Sequence, residues 1–259
     1  MVAETGRFCA RTNIDIDYWD RAQIAVPISL SPFTVLLQAL AKYYMELIVF
    51  SLEPHCDGGG LMSEPYPIIY LARHGETAWS LSGQHTGLTD LPLTERGRRN
   101  ACRLGERLKG LTFVKVLTSP LQRAAETCQL AGFGDSADVD RDLLEWDYGQ
   151  YEGLRTAEIH AERPEWQLFR DGCPGGETPD QVAFRADRVV NRVRGVQGDM
   201  LLFSSGHFLR MLAVRWLGLG PGSGSYIVLG TASLSVLGYE HNRSEPVIRL
   251  WNDTRHVGL

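Results

Sequence analysis

Two short stretches of this sequence carry residues that could do chemistry. In the first, the apolar and aromatic run Ile68-Ile69-Tyr70-Leu71-Ala72 passes directly into Arg73-His74-Gly75. An arginine beside a histidine offers a fixed cation next to an imidazole that can be neutral, and so nucleophilic, near pH 7. In the second, Met200-Leu201-Leu202-Phe203 leads into Ser204-Ser205-Gly206-His207, the same design of apolar strand and polar turn. Between them, Arg123 follows Ser119-Pro120 near a predicted strand end and helix N-terminus, two features that favour an anion. Glu145 lies among Leu143, Leu144, Trp146 and Tyr148. A partly desolvated carboxyl of that kind suits a general acid that must hold a proton near neutral pH. Taken singly, none of these residues is diagnostic. Arg73-His74 also fits a satisfied structural pair, Arg123 a surface partner of Glu126, and Glu145 a turn cap.

Taken together they form a pattern. Arg73-His74-Gly75-Glu76-Thr77, then Trp79, then Thr86 to Gly97 (TGLTDLPLTERG), Ser119 to Ala124 (SPLQRA), Leu144 to Gly153 (LEWDYGQYEG) and Gly176-Glu177-Thr178 resemble the signature of the histidine phosphatase (phosphoglycerate mutase-like) superfamily. The resemblance runs from about Tyr66 to the C-terminus. Within that superfamily, SGQHTGLTDLPLT and RDGCPGGET are most similar to small-metabolite phosphatases of the sedoheptulose-1,7-bisphosphatase type. The resemblance implies that His74 is a nucleophile that becomes phosphorylated, that Arg73 and Arg123 clamp the phosphate, and that Glu145 protonates the leaving alcohol. It also marks Gly75, Glu76, Thr77, Ser80, Thr86, Gly87, Ser205 and Gly206 as substrate-binding. Two positions depart from the family pattern. Ser205 stands where most relatives carry the second pocket histidine, so His207 is expected to serve in its place, and Ser80 replaces a common Asn. The implied activity is metal-independent hydrolysis of a small phosphorylated metabolite, a sugar phosphate or bisphosphate, with no cofactor. Two other readings stay open: a cofactor-dependent phosphoglycerate mutase, and a phospho-ligand-binding module whose catalysis lapsed with Ser205. The short step from Gly153 to Gly176 leaves little room for the basic insertion of the mutases.

The elements that must position these residues can be read from periodicity. An apolar run bounded by Pro67 and Gly75 fits a strand buried on both faces, and open α/β sheets bind ligands at the carboxyl ends of such strands. A helix is predicted after Thr94, its N-cap, with Ala101, Leu104, Gly105 and Leu108 inward. Phe113–Ser119 reads as a second strand, and Pro120 as the first turn of a helix that carries Arg123, Ala124, Thr127 and Cys128. Short helices are expected at 156–161 and 164–169. A longer one spans 178–193, with Val182, Phe184, Ala186, Val189, Val190 and Val193 inward and Arg185, Asp187, Arg188 and Arg192 solvated. A helix over 208–217 follows the second catalytic stretch, and 232–240 with 247–251 reads as a strand pair. Strands alternating with helices predict a three-layer α/β/α fold with a mostly parallel central sheet. Trp79, Trp146, Trp166 and Phe208 are either core or specificity walls.

Composition bounds the remainder. A chain of 259 residues with 44% hydrophobic and 22% charged residues fits one sizeable soluble domain. A net charge of -5 argues against a nucleic-acid surface and for a small partner. Five widely spaced cysteines without CxxC indicate neither a disulfide scaffold nor a zinc site, which fits a cytoplasmic setting. Residues 1–61 read as an N-terminal extension and 62–259 as the phosphatase domain, with the breaker-rich stretch 53–60 between them and Met62 as an alternative start. The apolar stretch 24–50 is broken by Pro27 and Pro32 and carries Lys42 and Glu46, so no membrane span is expected. A homodimer is compatible with all of this.

Overall fold

The computed structural model describes residues 66–258. The expected extension, residues 1–61, and the alternative start at Met62 lie outside the described residues. One six-stranded sheet is built from β1 (Ile69–Arg73), β2 (Lys115–Thr118), β3 (Ala137–Val139), β4 (Met200–Ser204), β5 (Leu234–Tyr239) and β6 (Pro246–Asp253), in the order β3-β2-β4-β1-β5-β6. The first four run parallel, and β5 and β6 add an antiparallel edge.

Side chains alternate across a strand, and here both faces are apolar. Ile69, Leu71, Met200 and Leu202 join one cluster, which also contains Val189 of α6 (Pro179–Arg194) and Leu212 of α7 (Gly206–Trp216). Ala72, Leu201 and Phe203 join a second, with Leu104 of α2 (Glu95–Leu108) and Cys128 of α3 (Gln122–Leu130). Helices on both faces make the predicted three layers. Shorter helices are α1 (Ala78–Ser82), α4 (Thr156–Glu162) and α5 (Leu168–Asp171).

Register decides where the chemistry emerges. Arg73 lies opposite Ser204 at the ends of β1 and β4, and the His74 amide donates to the Ser204 carbonyl at 2.9 Å. The two stretches singled out from the sequence therefore leave the sheet side by side. On the far flank of β4, the Ser119 amide donates to the Phe203 carbonyl at 2.9 Å, which brings the start of α3 to the same rim.

Several predicted boundaries and faces shift. The second strand begins at Lys115, because Phe113 turns to stack edge-on with Tyr70 and Phe133. Pro120 precedes the N-cap Leu121 of α3 instead of entering its first turn. The expected helix 164–169 contracts to α5, and α7 starts at Gly206, so His207 belongs to its first turn. Thr94 caps α2 as predicted, and Thr178, expected as the first helical residue, caps α6, each side chain accepting a helix amide. On α6 two faces are exchanged. Phe184 is 66% exposed and Arg185 only 8%, because Arg185 is drawn inward by Glu177 and by backbone carbonyls. Trp146, Trp166 and Phe208 are core, while Trp79 packs against Gly153, whose φ of +80° brings the chain under the indole.

Candidate active site

His74 is 4% exposed and sits just past β1. Its Nδ1 lies 2.7 Å from the Gly75 carbonyl oxygen. A carbonyl only accepts, so Nδ1 carries the proton and Nε2 keeps the lone pair. Burial, with the Arg73 and Arg123 charges, holds the imidazole well below its ordinary pKa, and it is neutral at pH 7. An unprotonated Nε2 facing a cavity is a nucleophile. The Gly75 amide donates to Thr127 Oγ1 at 2.9 Å, and that hydroxyl donates to the Arg123 carbonyl at 2.6 Å, which ties the histidine turn to α3.

A cavity of about 260 Å³ collects Arg73, His74, Ser80, Thr86, Glu145, Gly206 and His207, seven of the residues expected from sequence. The Arg73 guanidinium lies over Gly206, whose missing Cβ would stand 3.1 Å from Arg73 Cζ. Its Nη1 donates to the Leu229 carbonyl, and its Nε is buried without a partner. Glu145 is held by three backbone amides. Oε1 accepts from Trp146 at 2.9 Å and Phe208 at 2.8 Å, and Oε2 accepts from His207 at 3.0 Å. Since two of those amides open α7, the carboxyl caps the helix, and Oε2 is the oxygen with capacity to spare. His207 Nδ1 lies 2.6 Å from the Tyr148 hydroxyl, and burial together with Arg210, His85 and Arg73 holds its imidazole neutral as well.

The remaining expected residues do other work. Arg123 is fully buried, but its Nη atoms donate to the carbonyls of Thr89 and Thr86 at 3.0 Å and Gly87 at 2.8 Å. It clamps the loop that carries Thr86, and it reaches His74 through its charge. The Gly87 amide is spent on Glu152 Oε1 at 2.8 Å, and the Gly75 amide on Thr127. Neither is left for a phosphate. Glu76 accepts from the Thr94 hydroxyl at 2.8 Å, and Thr77 caps α1, so both hold the loop and do not line the cavity. Ser80 lines it with a hydroxyl already bonded to the Thr77 backbone. Ser205 is buried, and its Oγ has no partner and does not reach the cavity wall.

Sequence reasoning missed His85, Tyr148 and Arg210 on that wall. Burial lowers the His85 pKa to about 4. Arg210 Nε and Nη2 donate to the Gly224 carbonyl at 3.0 and 2.8 Å, and its guanidinium stacks on Phe169 at 4.6 Å. A signal for Arg210 existed: it follows His207 by three residues, which places both on one helix face. A second cavity of about 510 Å³ shares His85, Thr156, His207 and Arg210 with the first and continues along Trp166, Phe169 and Tyr226. Arginines on the wall, neutral histidines and one carboxyl form a site for an anion whose transfer needs a nucleophile and a proton donor.

The profile of the histidine phosphatase superfamily (branch 1) matches residues 69–254. An acid phosphatase of Mycobacterium tuberculosis is 42% identical over 177 residues, 67% of this chain and 87% of the relative. The sedoheptulose 1,7-bisphosphatase of Saccharomyces cerevisiae is 39% identical over 187 residues, 60% of this chain and 69% of the relative. Among solved structures, an open reading frame of Mycobacterium tuberculosis superposes with a TM-score of 0.68 at 39% identity, covering 72% of this chain and 97% of that one. The fold, the histidine turn and these likenesses agree, and the chain belongs to the histidine phosphatase superfamily, in its first branch.

Proposed function

We propose that this protein hydrolyses a phosphomonoester of a small metabolite, a sugar phosphate or bisphosphate, through a phosphohistidine. One observation carries the reading: His74, with a free Nε2, shares a cavity with Arg73, Glu145 and His207. In the first step Nε2 attacks phosphorus in line, the bond from phosphorus to the alcohol oxygen breaks, and Glu145 supplies the proton that the leaving oxygen needs. Arg73 and His207 meet the charge on the equatorial oxygens, and Arg123 adds its field from behind the loop. In the second step water attacks the phosphohistidine, the P–N bond breaks, and the ionised Glu145 takes the water proton. Inorganic phosphate leaves and His74 is restored. The names of the acid phosphatase and bisphosphatase relatives support hydrolysis and a metabolite-sized substrate.

The test is phosphate release by the purified protein, with chelator present, from sugar bisphosphates, phosphoglycerates and an aryl phosphate, beside His74→Ala. Release that persists in chelator and vanishes in the variant is the expected result. Acid-quenched protein should then carry label on His74. Interconversion of 2- and 3-phosphoglycerate faster than hydrolysis would move the assignment to a mutase, and no release from any substrate would move it to a binding module.

A further inference from the structure

The Tyr148 hydroxyl is a cavity-wall group whose place neither the nucleophile nor the proton donor explains. The residue is 1% exposed, its ring packs 4.8 Å from that of His85, and Gly87 leaves room for it: a Cβ there would fall 3.0 Å from Tyr148 Cδ2. The following residue, Gly149, takes a φ of +51°, and its amide donates to Asp147 Oδ1 at 2.9 Å, so the backbone beneath the ring is fixed. The partner of the hydroxyl is fixed as well. His207 donates its backbone amide to Glu145, and its ring lies 5.7 Å from that of Phe169.

We propose that Tyr148 is a positioning residue that sets the tautomer of His207: its hydroxyl donates to Nδ1, so the proton of the imidazole resides on Nε2 and points into the cavity. The argument is one of satisfied valence. A buried phenol needs an acceptor for its proton, and among the described residues His207 Nδ1, at 2.6 Å, is the acceptor within reach. Were Nδ1 protonated, the phenol proton would lose that partner, and Nε2 would offer only a lone pair to the cavity. In an anion site a lone pair repels and an N–H attracts. The hydroxyl thus converts a neutral histidine into a dependable donor without giving it charge. The inference rests on the phosphatase reading only for the identity of the oxygen that Nε2–H meets.

Long-range proton–nitrogen correlation spectra of the full chain, uniformly labelled with nitrogen-15, decide the matter without substrate. The His207 signals are assigned by their loss in His207→Gln. The expected spectrum shows an unprotonated Nδ1 and a protonated Nε2, with the Nε2–H signal shifting when inorganic phosphate is added. In Tyr148→Phe the same residue should become a mixture of tautomers, while kcat on the aryl phosphate falls on the order of tenfold, the size of one lost hydrogen bond. KM should move by less than about twofold, since the hydroxyl does not touch the leaving group. A protonated Nδ1 in the unmodified protein overturns the proposal, and that result needs no variant to fold. An unchanged tautomer in Tyr148→Phe also overturns it. If His74→Ala still released phosphate, the phosphohistidine reading would fail while the spectrum of His207 stood.

Discussion

At the scale of single residues, the site separates groups that face the cavity from groups that hold them. Glu145 faces the cavity and caps α7, and its proposed role as proton donor can be tested apart from the capping. Its oxygens accept three amides, so Glu145→Gln keeps an acceptor for Trp146 and Phe208 but sets an amide nitrogen against the His207 N–H. A proton donor matters most when the leaving oxygen is basic. Glu145→Gln should therefore lower kcat/KM on an alkyl phosphate by about a hundredfold or more, and on an aryl phosphate with an acidic phenol by distinctly less. Equal losses on both substrates would assign Glu145 to the capping of α7 alone. Residue types in the sequence were enough to single out His74, Glu145 and Arg73, which the fold brings to one cavity, the first and last at the end of β1 and Glu145 from the stretch after Leu143. They were not enough for Arg123. A guanidinium at a helix start can meet a ligand or a carbonyl, and three loop carbonyls are what it meets.

At the scale of elements, the position of His74 depends on close backbone packing between the turn after β1 and the first turn of α2. A Cβ on Gly97 would lie 2.2 Å from the Glu76 carbonyl oxygen, and one on Gly75 would lie 2.6 Å from that of Gly97. Both neighbours are backbone and cannot swing away. Gly97→Ala should cost about 1 to 3 kcal/mol in urea unfolding, by forcing the helix from the turn, and should lower kcat together with stability. A second support comes from α6. Arg185 pairs with Glu177 through Nη2 at 2.8 Å and donates to the carbonyls of Leu144 at 2.7 Å and Glu145 at 3.2 Å, so one side chain anchors the stretch that carries Glu145 to the cavity. Arg185→Leu takes the guanidinium from Glu177, which keeps the Asp147 amide, and from these carbonyls. The expected loss is about 1 to 3 kcal/mol, the usual penalty for leaving part-buried polar groups without a donor, read from the shift of the urea midpoint. Helical spacing in the sequence placed Phe184 inward and Arg185 outward. Periodicity ranks faces by hydrophobicity, and here Glu177 and the carbonyls of Asp142, Leu144 and Glu145 draw the arginine inward in place of an aromatic ring, a contact that one helix cannot disclose.

At the scale of the whole molecule, the layered fold with a mostly parallel sheet was legible, since apolar strands alternate with amphipathic helices along the chain, whereas the strand order and the three-residue edge strand β3 were not. The convergence of His85, Tyr148 and Arg210 on one wall was not, because their elements meet only through the tertiary fold. That convergence has a consequence for stability. His74, His85 and His207 are all held neutral, chiefly by burial, with His85 down to about 4 and the other two well below 6.5. Unfolded, each would take up a proton as pH falls through about 6.5, whereas the folded chain refuses it. Below that pH the unfolded state binds more protons, so stability must fall as pH falls, and it must do so while most carboxylates are still ionised. Above pH 7 these histidines contribute no slope. The carboxylates of Asp142 and Asp253, both lowered, Asp142 by arginine hydrogen bonds and charge and Asp253 by its hydrogen bond to Arg255, add their own losses only at more acidic pH, as pH drops below their unfolded values near 4. Thermal melting from pH 8 to 4.5 should show a Tm that is level above pH 7 and declines below about 6.5. In His85→Phe, which removes one neutral imidazole outside the nucleophilic step, the decline should be shallower. A Tm that stays level down to pH 5 would mean that the cavity admits these protons, and would remove the basis for a neutral His74.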